Sequence, residues 1–128
     1  MKTAARIGWI VVFLLYIAAI AWLCFGSFSP SPDMPRQFLG IPADKCAHFL
    51  MFFPFPILST LAFQRRSWWR TLCCITLAAN LIATLFEMLQ SRINPERCTD
   101  PADLNANLLG ITAGLLVMVL IGLFTRKK

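Results

Sequence analysis

Four stretches of this chain are so long and so apolar that water is the wrong solvent for them. Residues 7–25 carry no charge, and in 46–64 only His48 titrates besides cysteine. Residues 71–86 are uncharged and the helical pattern runs on to 90; residues 104–125 are uncharged throughout. About 20 apolar residues rising 1.5 Å each cross a hydrocarbon layer of roughly 30 Å. Lipid offers no partner to backbone amides, so such a segment must satisfy them internally, as a helix. Composition agrees: 58% of residues are hydrophobic and 14% charged, against about half and a quarter in soluble domains. The expected fold class is all-α, a four-helix transmembrane bundle in a single domain over 1–128. Its helices are expected at about 7–25, 46–64, 71–90 and 104–125. The first stretch reads as an uncleaved anchor. Secretory cores are shorter, about 7–15 residues, and no small-x-small cleavage site precedes Phe28.

The net charge of +6 suggests nucleic acid until its placement is considered. Lys2 and Arg6 precede the first stretch, Arg65, Arg66 and Arg70 join the second to the third, and Arg126, Lys127 and Lys128 follow the fourth. No acidic residue accompanies them. The other two connections mix Arg36, Lys45, Arg92 and Arg97 with Asp33, Asp44, Glu96, Asp100 and Asp103. Basic residues accumulate on the cytoplasmic side of membrane proteins, which predicts both termini in the cytoplasm and no nucleic-acid partner. The arginines are an orientation signal with room for anionic-lipid contact. Trp68 and Trp69 beside Arg70 suit the interfacial aromatic belt. Prolines and Gly40 in "SFSPSPDMPRQFLGIP" argue against helix there and leave Phe38, Leu39 and Ile41 to meet the interface.

That orientation gathers the polar residues at one end. Asp44 and His48 are four apart and share a helical face; Glu87 and Gln90 are three apart. Asp100, Asp103 and Asn107 fall on one stripe, which Gly110 and Gly114 carry deeper. Thr76, Asn80, Thr84 and Glu87 form another. Polar faces within lipid turn to the bundle interior, so the expectation is a polar pocket open to the outer face. Glu87 is expected to find Arg97, Lys45 or His48. Pro54 and Pro56 remove amide donors and should kink their helix, widening the pocket.

Each residue admits two uses. His48 with Glu87 and Asp44 suits general acid–base catalysis; the plain alternative is a histidine capping a polar network. Lys45, Arg92 and Arg97 suit an anion, since arginine offers paired donors to phosphate or carboxylate; the plain alternative is pairing with Asp44, Asp100 and Asp103. Gly110-x-x-x-Gly114 permits close helix approach, within the chain or in a homodimer. A single histidine lacks the spacing of zinc motifs, and no metal or cofactor is expected. Cys73 and Cys74 read as packing thiols. Cys24, Cys46 and Cys98 lie near the outer face, where a disulfide is allowed in an oxidising compartment but no pairing follows.

Together, "DKCAHF" at 44–49, "EMLQ" at 87–90 and "RCTDPADLNANLLGITAG" at 97–114 resemble the VanZ-like membrane proteins. By position, the resemblance covers Asp44, Lys45, His48, Glu87, Gln90, Arg97, Asp103, Asn107, Gly110 and Gly114. Two departures stand out. Phe52 replaces a frequent tyrosine, and "PER" at 95–97 replaces Pro-Gly-Arg. The family takes its name from a protein associated with resistance to teicoplanin, and most members have no assigned activity. The resemblance therefore implies a multi-pass protein of the bacterial cytoplasmic membrane. Combined with the polar pocket, it favours binding or modulation of a membrane lipid or lipid-linked wall precursor. Lys45, Gln90, Arg97, Asp103 and Asn107 are the expected ligand contacts. An envelope enzyme using His48, and a polar network that only holds the fold, are the alternatives.

Overall fold

The computed structural model describes residues 3–27, 31–95 and 98–125. Four spans long and apolar enough to cross a membrane run Thr3–Phe25, Ala43–Phe63, Trp68–Ile93 and Pro101–Thr125. We label the helices α1 (Thr3–Phe25), α2 (Ala43–Phe52), α3 (Pro54–Phe63), α4 (Trp68–Ile93) and α5 (Pro101–Thr125), with α2 and α3 forming the second span. The chain is thus a four-helix, multi-pass membrane protein.

Each helix outruns the apolar stretch that foretold it. A stretch counted by absence of charge stops at the first ionisable residue. A helix continues until a cap or proline ends its hydrogen bonding. Hence α2 begins at Ala43, taking in Asp44 and Lys45, and α4 extends through Arg92. At α5 the sequence Asp100-Pro101 is a cap followed by a proline whose missing amide costs nothing in the first turn. Asp100 Oδ1 accepts from the Ala102 amide at 2.9 Å.

Between α1 and α2 a small antiparallel hairpin pairs β1 (Gln37–Phe38) with β2 (Ile41–Pro42). Its two-residue turn holds Leu39 and Gly40 at φ of 52° and 79°. Hairpin turns of this kind need positive φ at both central positions. Leu39 at the tip is fully exposed, and Phe38 and Ile41 are about half so.

Close approach replaces the hydrophobic effect as the reason helices associate in lipid. The break between α2 and α3 falls at Phe53, ahead of Pro54 and Pro56. Rather than splaying the span, it sets the span against α5. A Cβ on Gly110 would collide with the Phe49 carbonyl, and one on Gly114 with the Phe53 carbonyl. Both glycines of the GxxxG pattern are therefore occupied within the chain, and this face is not available to a second copy. Tyr16 of α1 donates its phenol to the Met51 carbonyl beside the break. The core joins Phe13 and Ile20 of α1, Phe52 and Phe55 of the second span, Ile75, Ala79 and Ala83 of α4 and Ile111 of α5.

Three local expectations need correction. Thr76, Asn80 and Thr84 are only half-buried, and each bonds the carbonyl four residues earlier in α4, at 2.7–2.8 Å. The interior seam is instead Ile75, Ala79, Ala83, Glu87 and Gln90, because small residues let backbones approach. Trp68 turns inward against Leu72 and Met118, leaving Trp69 at the surface. Cys73 and Cys74 are exposed rather than packed, and no disulfide joins Cys24, Cys46 and Cys98.

Candidate functional site: a polar cluster at one end of the bundle

The start of α2, the end of α4 and the start of α5 meet at one end of the molecule. Each brings ionisable groups for a local reason. Helix α2 opens with Asp44 in its first turn, where a carboxylate complements the helix dipole. Helix α5 does the same with Asp103. Glu87 lies four residues after Ala83, on the buried seam of α4.

Lys45 is the hub. Its Nζ lies 2.8 Å from Asp44 Oδ2 and 2.7 Å from Asp100 Oδ2, and it also bonds Asp103 Oδ1. An ammonium has three N–H donors, and three carboxylates take them. The internal pairing weighed as the plain alternative is therefore what the geometry shows. The anion-holding role expected of Lys45 meets no spare donor.

Beneath this rim lies a buried layer. His48 is 7% exposed, Glu87 3% and Asn107 1%. His48 Nδ1 stands 3.0 Å from Asn107 Oδ1, and Nε2 stands 3.4 Å from Asp103 Oδ2. Which nitrogen carries hydrogen depends on how the Asn107 amide is turned. In either arrangement both nitrogens face a protein group. A general base needs one nitrogen within reach of a substrate proton, and His48 has both engaged. Glu87 Oε1 accepts from the Asp100 backbone amide at 3.1 Å, anchoring the loop that leads into α5.

The structure thus unites Asp44, Lys45, His48, Glu87, Asp103 and Asn107. Glu87 meets the Asp100 amide, and among the described residues it bonds no basic side chain. Gln90 bonds no described member of the cluster. Its amide nitrogen donates to the Cys24 carbonyl at 2.9 Å, one of the carbonyls left without an intrahelical partner at the end of α1. Asn94 does the same for Gly26 at 3.3 Å. Arg97, the other expected anion contact, lies outside the described residues. Asp100 is the member that the site expectation omitted. The Asp-Pro pair at the start of α5 signalled its cap, and the cap fixes the loop that turns its carboxylate to Lys45.

Electrostatically the cluster is lopsided. Among the described residues, three carboxyl groups, from Asp44, Asp100 and Asp103, bond one ammonium, and Glu87 adds a fourth behind them on the Asp100 amide. Asp100 is the one that lies outside the spans. The hydrogen bond from Lys45, then the Ala102 amide, holds its carboxyl below the usual carboxylate range. Side chains of Asp44 and Asp100 are 58% and 44% exposed, so the negative rim faces water above a sealed floor.

No curated protein and no solved structure matches the chain. A family model does: VanZ/LLP1 aligns with residues 13–122. That span runs from the middle of α1 nearly to the end of α5 and contains the whole polar cluster, so the chain belongs to the VanZ/LLP1 family.

Proposed function

We propose that this chain is an envelope membrane protein that binds a partner without transforming it, using the acid-rich rim to recognise a primary ammonium group. The observation that carries this is the surplus of carboxylates around Lys45, two of them exposed. An anion at the same place would have to displace an aspartate from Lys45 and would meet the remaining carboxylates. An ammonium group would add the missing positive charge and hydrogen-bond donors. Within a bacterial cytoplasmic membrane, two sources share that chemistry: the phosphatidylethanolamine headgroup and the amine of a wall-precursor peptide. The precursor link expected from the family resemblance is kept, with the contact moved from the anionic to the amine end of the ligand.

The test uses the full chain in phosphatidylcholine nanodiscs, titrated separately with phosphatidylethanolamine and with a lysine-bearing stem peptide. An Asp44→Asn, Asp100→Asn double variant keeps hydrogen-bond acceptors but loses charge. Exposed pairs contribute about 0.2–1 kcal/mol each, so about fivefold weaker binding is expected. The arm that weakens identifies the source. Equal affinity of wild type and double variant in both arms would sink this reading. Teicoplanin susceptibility of cells with and without the protein is the phenotype suggested by the family name.

A second reading is favoured by the saturation of Lys45: the network latches α2, α4 and α5 together. Latch and rim are compatible, since the latch uses the floor and the rim presents its outer oxygens. The enzyme reading stands behind both, because neither ring nitrogen of His48 is open to a substrate.

A further inference from the structure

The end of the molecule opposite the polar cluster carries donors that no described residue occupies. Arg65 and Arg66 lie between α3 and α4, and Arg70 lies in the first turn of α4. All three are exposed. Among the described residues none forms an ion pair. Sequence explains why: no acidic residue occurs in 1–32, 46–86 or 104–128.

Beside these arginines a cavity of about 960 Å³ opens between α1, α3 and α4. Such a volume lies at the upper end of ligand pockets, roughly 300–1,000 Å³. Phe13, Phe63, Ala78 and Ile82 line its walls, and Arg65, Arg66 and Arg70 line it as well. Its origin is plain in the packing. Helices α1 and α4 are tied at the polar end by Gln90 on the Cys24 carbonyl and by Phe25 against Phe86. Toward the arginine end this cavity separates them, and the side chains α4 presents to the gap include the small Cys74 and Ala78. Both are exposed, so the gap opens on the flank of the spans.

We infer that this wedge binds one anionic glycerophospholipid, with its phosphate on Arg65, Arg66 and Arg70 and an acyl chain between α1 and α4. Each half of the site fits one half of such a lipid. Guanidinium groups offer planar, paired donors to phosphate oxygens. The apolar wedge offers an acyl chain a bed that polar ligands would leave unfilled. The two halves adjoin at the membrane boundary, where a lipid carries its phosphate. A zwitterionic lipid matches the wedge but brings its own positive charge to the arginines. Free phosphate matches only the arginines.

Native mass spectrometry of the detergent-purified full chain, titrated with phosphatidylglycerol, phosphatidylcholine or glycerol 3-phosphate, tests this. One phosphatidylglycerol should be retained up to about a hundredfold more tightly than phosphatidylcholine, since each of the three basic side chains adds about a factor of five near an anionic headgroup. Glycerol 3-phosphate at equal concentration should not displace it. A combined Arg65→Gln, Arg66→Gln, Arg70→Gln variant should lose the preference. Ala78→Phe should lower phosphatidylglycerol retention by filling the wedge with the arginines intact. Leu77→Phe on the lipid-facing side and Arg92→Gln at the other end should leave retention unchanged. All these positions are exposed, and circular dichroism melting verifies that each variant folds. The inference is overturned if the arginine variant keeps the preference, if Ala78→Phe retains lipid like wild type, or if glycerol 3-phosphate competes. This wedge is remote from the acidic rim, and its outcome is independent of what binds there.

Discussion

The two ends of this bundle treat charge in opposite ways. At the polar end, Lys45 gives all three donors to aspartates and His48 has both nitrogens engaged. At the other end, three arginines border an apolar cavity with no described acidic partner. Internally matched charge holds helices together and is costly to disturb, because removing one partner strands the other in a poor solvent. Unmatched charge at a membrane boundary contributes little to the fold and remains available to something outside the chain. The same residue types therefore carry different meanings at the two ends, and only their partners distinguish them.

This contrast can be broken most directly by neutralising one hub. Lys45→Met should destabilise the protein by about 1–3 kcal/mol, because clustered carboxylates lose their only described ammonium while water screens the two exposed ones. Arg66→Gln should stay within about 0.5 kcal/mol, as expected for an exposed position without a described partner. Thermal melting of both variants in one detergent checks the pair, and comparable losses would erase the distinction.

The buried floor should respond next. Asn107→Ala removes the partner of His48 Nδ1, and leaving a buried polar group unpaired costs about 1–3 kcal/mol. Glu87→Ala strands the Asp100 amide at similar cost, whereas Glu87→Gln keeps an acceptor there and should lose less. Denaturant titration ranks the three. If Glu87→Gln falls as far as Glu87→Ala, the charge of Glu87 matters more than its hydrogen bond.

The smallest effect concerns pH. The folded structure holds the Asp100 carboxyl below its ordinary range, chiefly through Lys45. A group whose folded value is depressed contributes stability that is fully present above its unfolded value, about 3.9, and is lost as pH falls through the folded value. Asp100→Asn should therefore lose that increment at neutral pH and converge with wild type in acid, which flattens part of the acid limb of a melting-versus-pH curve below about pH 4. Arg70→Gln at the other end should leave that limb as it is.

Much of this was legible in the order of residues. Uncharged runs foretold four spans, and helical spacing foretold that Asp44, His48, Glu87, Asp103 and Asn107 would meet. Periodicity misled where two rows shared a residue. Glu87 lies three residues from Thr84 and four from Ala83, and the alanine row faces the interior. It also could not separate Gln90 from Glu87, although one reaches α1 and the other the loop before α5.

The sequence by itself determined that the chain crosses a membrane four times and that ionisable groups collect at the ends of the spans. Both follow from solvation, which depends on the length and polarity of each segment. Tertiary structure alone decided which charges are spent on each other. Pairing is a matter of distances of a few ångström between residues far apart in the chain. Those distances are set by the contact of Gly110 and Gly114 with the backbone of the second span and by the divergence of α1 from α4.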